Sequence, residues 1–377
     1  MAELYSLPDG WEWVEFSKIF DTPTSKPYQI QKTEYLENGL LPIIDQGKEF
    51  VIGYTNSIEK KYLNESNCII FGDHTRQIKY VDFDFVIGAD GTKILKEKDK
   101  NKYDLKFLYF QFLSKKIESL GYSRHFKLVK EMFFAIPPLE EQKRIVAKLD
   151  NLFAKIDKAI ALHQKNIDEA DIFMASVLND VFVELEEKYE KKQLNQIVII
   201  GGKNISTLEY PNLIYFSLED IETQTGKILN YKTVNESRVK GTAVSFDDNV
   251  VLYSKLRPYL NKVIVPNLEG CATTELVVLK PKDKLDKYFL ASYLRSSNIV
   301  SFLNNDSMGA KMPRTNMKTF RNLDIPLPPL QNQQKVVAYL DEISNKMEKI
   351  KQIQKEKMQS LKALKASILD KAFKGEL

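Results

Sequence analysis

The chain is poor in the residues that usually carry metal and enzymatic chemistry. Among 377 residues there are 2 cysteines and 3 histidines. Cys68 and Cys271 fall in different halves and cannot make a structural zinc site, which wants four ligands at close spacing. Both read as buried small residues. Three histidines leave little for a catalytic cluster, and His163 falls in a helical seam where a structural role is the natural one. A phosphate-binding loop is missing too, because Gly201-Gly202-Lys203-Asn204 lacks the earlier glycine and the hydroxyl residue that such a loop needs. Both Pro-Pro pairs are followed by leucine, so the Asp/Asn-Pro-Pro-aromatic signature is absent. No run approaches the roughly 20 apolar residues of a membrane span. The opening MAELYSLPDG lacks the basic flank and apolar core of a secretory signal. A cytoplasmic location is the expectation.

Strong net charge is lacking as well. The total is +4, too slight by itself to argue for nucleic acid. Residues 1–135 carry −1, 136–190 carry −5, 191–325 carry +6 and 326–377 carry +4. The third segment could present a phosphate-binding face, whereas the first could do so only by sorting its charges onto opposite sides.

What the chain does have is a repeat. IPPLEEQKRIVAKLD (136–150) returns as LPPLQNQQKVVAYLD (327–341), and ASVLNDVF (175–182) returns as ASILDKAF (366–373), both at an offset of 191 residues. The stretch between them was therefore copied without insertion. A helix demands that, since one extra residue turns everything beyond it by about 100° and takes its apolar stripe off its partner. A chain duplicated in this way is built like a fused dimer with one approximate two-fold axis, which suits a two-fold target.

From Ile145 the apolar residues Leu149, Leu152, Ile156, Ile160, Ile167, Ala170, Met174, Val177 and Val181 follow in steps of three and four, with His163 in the same series. Val336, Leu340, Ile343, Met347, Ile350, Leu361, Leu364 and Ile368 form the second stripe. Both predict long helices. Pro137-Pro138 and Pro328-Pro329 set their starts, and Glu140 and Glu141 sit where the helix dipole favours acids. The segments between mix strand-length runs with turn signals: CIIF (68–71), FDFVIG (83–88), NVVLYS (249–254) and ELVVLK (275–280). The repeat extends faintly into them, since KFLYFQFLS (106–114) resembles KYFLASYLR (287–295).

The predicted class is α+β: two globular mixed domains, 1–136 and 188–327, and two helical regions, 137–187 and 328–377. The ends of a compact domain often lie close together, so the end of the first helix should meet the start of the second. That pairs the helices antiparallel, as a coiled-coil rod of about 45 residues, or roughly 65–70 Å, with one globular domain at each end.

At this point the chain resembles the specificity subunits of type I restriction-modification systems. The resemblance rests on PPLEEQKRIVAKLD (137–150), the closing ILDKAFKGEL (368–377), and LPDGWEWVEFSKI (7–19) and KKQLNQI (191–197), which look like the starts of the family's two recognition domains. It implies a non-catalytic reader of a bipartite, asymmetric site in double-stranded DNA, with the helices fixing the distance between half-sites. It also implies two modification subunits that bind S-adenosylmethionine and methylate adenine, and ATP-dependent restriction subunits as further partners. No cofactor or metal is expected on this chain.

Candidate DNA contacts follow from local composition. In the first domain FGDHTRQIK (71–79), echoed by GADGTK (88–93), offers His74, Thr75, Arg76, Lys79 and Lys93 in a loop setting. Glycines permit close backbone approach, and arginine fits the guanine major-groove edge bidentately. The alternative is that Asp73 and Arg76 simply pair at a turn. YSRHFKLVK (122–130) adds Arg124 and Lys127 as a phosphate-contacting loop or a solvated connector. In the second domain YSKLRPYLNK (253–262) offers Lys255, Arg257, Tyr259, Asn261 and Lys262, with Pro258 interrupting any β ladder; Leu256 and Leu260 read as core. GAKMPRTNMK (309–318) offers Lys311, Arg314, Thr315 and Asn316, and asparagine can read adenine. Two other classes compete: a self-contained restriction or methyltransferase enzyme, and a structural coiled-coil protein whose end domains bind other proteins.

Overall fold

The computed structural model describes residues 5–62, 67–88, 91–121, 123–309 and 311–377. The chain divides into two compact units, Met1–His163 with Glu356–Leu377, and Gln164–Lys355.

The first unit holds β1 (Glu12–Glu15), β2 (Phe20–Asp21), β3 (Leu41–Ile44), β4 (Gly53–Thr55), β5 (Cys68–Gly72), β6 (Ile78–Val81), β7 (Val86–Ile87), β8 (Thr92–Glu97) and β9 (Phe133–Ile136). An antiparallel sheet runs in the order β2-β8-β5-β6, a smaller sheet runs β4-β3-β7, and β1 pairs with β9. Within the smaller sheet β3 and β7 are parallel. Every residue of β5 is buried, as expected of a strand covered on both faces. Of FDFVIG only Val86 and Ile87 form a strand, because Asp82 and Asp84 hold the start of that run at the surface.

The second unit holds β10 (Lys191–Gln193), β11 (Val198–Ile200), β12 (Asn204–Ser206), β13 (Ile214–Phe216), β14 (Lys232–Thr233), β15 (Thr242–Phe246), β16 (Val251–Ser254), β17 (Val263–Ile264), β18 (Gly270–Ala272), β19 (Leu276–Pro281) and β20 (Asp324–Pro326). Its sheets run β11-β19-β16-β17 and β12-β15-β18-β13-β14, with β10 on β20. The order β11-β19-β16-β17 repeats β2-β8-β5-β6 strand for strand, and the parallel pair β13–β18 repeats β3–β7. The duplication therefore reaches through both globular parts, where the sequences have diverged. The class is α+β.

The long helices span Leu139–Lys188 and Leu330–Phe373, 50 and 44 residues. Each starts at its proline pair: Pro138 O accepts from Glu141 N and Gln142 N, and Pro329 O accepts from Asn332 N and Gln333 N. One turn in, a fully buried glutamine locks each helix to its globular part. Gln142 Oε1 accepts from Asp104 N (2.8 Å), while Nε2 donates to Lys102 O and Pro137 O, both at 2.9 Å. Gln333 does the same 191 residues later, accepting from Asp286 N (2.8 Å) and donating to Lys284 O (2.9 Å) and Pro328 O (2.8 Å). Asp104 and Asp286 in turn cap the helices Leu105–Ser114 and Lys287–Arg295.

Within each unit the two long-helix segments run antiparallel. In the first unit Arg144 Nη2 donates to Leu377 O (2.9 Å) and Asp157 pairs with Lys365 (2.8 Å). In the second, Asp171 pairs with Lys351 (2.8 Å), and Asn332 Nδ2 donates to Tyr189 Oη (2.8 Å). Ile145, Leu149, Ile156, Ile167, Ala170 and Leu340 of the predicted stripes are buried. Ile350 and Leu364, expected on the second stripe, are instead 39% and 48% exposed, since two helices alone cover only a narrow seam. Phe153 and Phe182, outside the predicted series, are buried; they pack on Phe110 in the first unit and on Phe289 and Tyr293 in the second. Leu162, Ile172, Phe173 and Tyr339 are at least half exposed on the same helices. No helix among the described residues is long and apolar enough to cross a membrane.

Candidate nucleic-acid interface

In the first unit the turn between β5 and β6 carries His74, Thr75 and Arg76. Gly72 N and Gly72 O close it, donating to and accepting from the turn at Gln77 O (2.8 Å) and Arg76 N (2.8 Å). A Cβ on Gly72 would collide with Thr75 Oγ1 and lie 2.9 Å from the main-chain Gln46 O, so a larger residue would displace the turn. Arg76 adopts a left-handed conformation, φ 62°, an arrangement that costs a non-glycine residue energy and collects at functional sites. Its side chain is exposed, with Nη1 donating to Ile117 O (3.0 Å).

Asp73 does not pair with Arg76. It is buried, and its backbone and side chain join three segments picked out separately in the sequence. Asp73 N donates to Gly91 O (2.8 Å), Asp73 O accepts from His125 N (2.9 Å), and Asp73 Oδ1 accepts from Phe126 N (2.8 Å). His125 completes the joint. Its Nε2 accepts from Leu120 N (2.9 Å), which leaves the proton on Nδ1 to donate to Asp73 O (2.9 Å). The result brings exposed His74, Arg76, Arg124 and Lys127 together with half-buried Thr75 and with Lys93, whose Nζ lies 5.7 Å from the Phe126 ring centroid. Ala89 and Asp90 of the glycine-flanked echo, Tyr122, and Ala310 in the second domain lie outside the described residues.

The second unit repeats the plan with different residues. Pro258–Leu260 form a single 3-10 turn after β16, flanked by Arg257 (φ 51°) and Asn261 (φ 50°), both left-handed. Pro313 and Thr315 of the candidate segment 309–318 bond to it: Arg257 N donates to Pro313 O (2.7 Å) and Thr315 N to Lys255 O (2.8 Å). A buried hydrogen bond between Tyr253 Oη and Thr315 Oγ1 (2.7 Å) fastens the pair. Burial pushes the Tyr253 phenol up to about 12. Arg257, Tyr259 and Lys311 are exposed, Lys255 is half-buried, and Leu256 and Leu260 are half-buried rather than core. Arg314 forms an ion pair with Glu275 (3.1 Å), and this partner raises its already high pKa. Asn316 Oδ1 caps the short helix Met317–Arg321 by accepting from Lys318 N (3.1 Å).

Three residues expected at the surface turn inward. Lys79 is 4% exposed, and its ammonium donates to Asp45 O (2.8 Å) and Glu49 O (2.5 Å). Lys262 donates to Leu218 O (2.5 Å). In both, burial draws the ammonium below its ordinary pKa, against the pull of nearby carboxylates. Each lysine thus clamps the loop that follows its unit's parallel strand, β3 or β13, and is spent on backbone carbonyls. Asn261 is 8% exposed, and its Nδ2 donates to Arg295 O (3.1 Å) and Gln224 Oε1 (3.3 Å).

Two residues that sequence reasoning missed belong to these loops. Gln46 Oε1 accepts from His74 N (3.1 Å), and Gln46 O accepts from Thr75 Oγ1. Gln224 N donates to Leu260 O (3.1 Å), and its Nε2 donates to Tyr259 O (3.0 Å). Neither glutamine stands in a cluster of basic and aromatic residues, and the lysine near Gln46, Lys48, is flanked by Asp45 and Glu49, so composition offered no signal. Among the described residues no cluster of three or more His, Cys, Asp or Glu could hold a metal ion.

The model of the type I restriction modification DNA specificity domain matches the chain twice, at residues 8–169 and 186–357. The chain is 26% identical over 282 residues to the EcoDI specificity subunit of Escherichia coli, an alignment covering 66% of this chain and 63% of that protein. It is 24% identical to the MjaVIII specificity subunit of Methanocaldococcus jannaschii, over 94% of this chain and 91% of that protein. Among solved structures, a chain from a type I R-M system studied for complex assembly and conformational transition is similar in fold, with a TM-score of 0.68 at 22% identity, covering 99% of this chain and 100% of that one. The HsdS subunit from Thermoanaerobacter tengcongensis matches with a TM-score of 0.51 at 22% identity, covering 99% of each chain.

Proposed function

The chain belongs to the type I restriction modification DNA specificity family, and from that premise we propose that it is the non-catalytic subunit that reads DNA for such a system. The observation that carries this reading is the duplicated turn. In each unit an exposed arginine held at positive φ follows an interior strand, β5 or β16, and is bonded to the stretch before a short helix, Arg76 by its side chain to Ile117 O and Arg257 by its backbone to Pro313 O. Strained, exposed arginines at matched places in two diverged copies suit the reading of two different half-sites.

The first recognition domain corresponds to residues 1–136 and the second to 188–327, with helical regions 137–187 and 328–377 between and after them. Contacts to one half-site come from His74, Thr75, Arg76, Lys93, Arg124 and Lys127. Those to the other come from Lys255, Arg257, Tyr259, Lys311, Arg314 and Asn316. Lys79, Lys262 and Asn261 leave the contact set, since the two ammonium groups donate to backbone carbonyls and Asn261 is buried with its amide nitrogen bonded to Arg295 O. The antiparallel helices set the separation of the half-sites, and their exposed apolar residues receive two modification subunits, which bring S-adenosylmethionine; restriction subunits bring ATP. The complex works in the cytoplasm, where its DNA lies. Mapping methylated adenines genome-wide, with and without this chain, tests the proposal. One bipartite motif should lose methylation when the chain is removed, and an unchanged methylation map would refute it.

A further inference from the structure

We propose that Gln46 and Gln224 are the positioning residues of the two half-site readers. Each reaches from the loop after its unit's parallel strand and holds the arginine-bearing turn, so each governs what is read at one half-site without touching the bases itself. This rests on the assignment of those turns to DNA.

Three observations support it independently of that assignment. First, the arrangement occurs twice: the Gln46 side chain accepts from the backbone of His74 while its main-chain carbonyl accepts from the Thr75 hydroxyl, and the Gln224 side chain bonds Tyr259 O and the Asn261 amide while its main-chain N–H donates to Leu260 O. Second, each loop is itself anchored by a lysine turned inward, Lys79 on Asp45 O and Glu49 O, and Lys262 on Leu218 O. Arg295 Nη1 adds a bond to Thr225 O (2.6 Å). Third, the backbone leaves little play. Gln224 is itself left-handed, φ 66°. A Cβ on Gly91 would lie 2.7 Å from Gln46 Nε2, so the glutamine packs directly over that glycine. A side chain that reads a base must be fixed by its neighbours to a fraction of an ångström, and a turn held left-handed at Arg76, or at Arg257 and Asn261, carries strain that its neighbours must support.

The logic of the contact predicts a specific failure. Removing the Gln46 side chain takes one bond from the His74–Thr75–Arg76 turn and leaves its side chains in place, so the loosened turn can still touch DNA in several poses. Affinity then persists while discrimination falls. The loss of one hydrogen bond corresponds to roughly a 5- to 10-fold drop in preference for the correct base.

The test uses the full chain assembled with its modification subunits, bound to duplex DNA libraries in which one half-site at a time is randomised. Gln46→Ala should lower preference roughly 5- to 10-fold at the first half-site alone, and Gln224→Ala should do so at the second alone. Gln46→Glu retains an oxygen that accepts from His74 N and should restore the first half-site preference, whereas Gln46→Met keeps the volume without that acceptor and should not, a contrast that a general packing role would not give. Should an alanine variant fail to assemble, Gln46→Met, of similar length, and Gln224→Gly, which suits the left-handed backbone, carry the same expectation. Equal loss at both half-sites from one substitution, or no change from any glutamine variant, overturns the proposal. Arg76→Ala and Arg257→Ala separate it from the assignment it rests on. If the arginine variants leave both preferences intact, the turns are not the readers; if they shift preference and the glutamine variants do not, only the positioning role fails.

Discussion

Replacing the strained Arg257 by glycine should push stability and reading in opposite directions. Arg257 and Arg76 sit at φ 51° and 62°, where a non-glycine residue pays roughly 1–2 kcal/mol. Glycine escapes that cost but returns roughly 0.5–1 kcal/mol through the greater freedom of its unfolded chain. The Arg257 side chain is exposed and makes no hydrogen bond or ion pair among the described residues, while its N–H bond to Pro313 O (2.7 Å) survives the change. Arg257→Gly is therefore expected to stabilise the fold by about 0.5–1 kcal/mol. For Arg76→Gly the lost exposed bond to Ile117 O offsets the gain and leaves stability about unchanged. Reading should suffer in both, because losing a good bidentate base contact costs about 1–3 kcal/mol of discrimination, or roughly 5- to 150-fold. Arg238→Gly is the control: Arg238 is left-handed at the end of the helix Val234–Ser237 and lies outside the proposed contacts. It should stabilise and leave reading alone. Urea unfolding of the purified chain gives the first quantity, and sequencing of bound molecules from half-site libraries gives the second. Arg257→Gly that destabilises by more than about 1 kcal/mol, or that leaves half-site preference intact, would refute the reasoning.

Gln142→Leu strips one buried N–H and two carbonyls of their partners and should cost about 3–5 kcal/mol; hydrogen exchange should rise in the helix Leu105–Ser114 and not in Lys287–Arg295, with Gln333→Leu giving the reverse. Burial pushes the Lys115 ammonium down to about 8 against the rings of Trp13 and Phe134. Because its folded pKa lies below its unfolded value, the charged form costs stability below about pH 8, and that cost fades as pH rises towards 10.5. Thermal melts across this range should therefore gain stability in the native chain relative to Lys115→Met, and parallel curves would exclude the effect. Inserting four residues after Ile160 and after Lys351 keeps the apolar stripes nearly in phase and lengthens each helix by roughly 6 Å. The preferred spacer in a methylation library should grow by about one to two base pairs, at roughly 3.4 Å each, with half-site sequences unchanged; an active variant with the same spacer preference would contradict the helices as a ruler.

The sequence by itself determined the duplication, the two long helices with their proline starts, the mixed α+β character of the globular parts and the family. These are local or periodic signals. A copied helix must keep its phase, so Gln142 and Gln333 stand at the same 191-residue offset as the rest and make the same three bonds. Tertiary structure alone decided which polar residues face outward. Lys79 and Lys262 sit in basic stretches and read as phosphate ligands, yet each turns inward because a loop 30 to 44 residues away presents carbonyls that need a donor. Gln46 and Gln224 lie outside any cluster of basic and aromatic residues, and they matter only because chain closure brings them to turns 28 and 35 residues distant. Composition records which groups could bind DNA. Which of them remain free is settled by the backbone groups that folding must satisfy first.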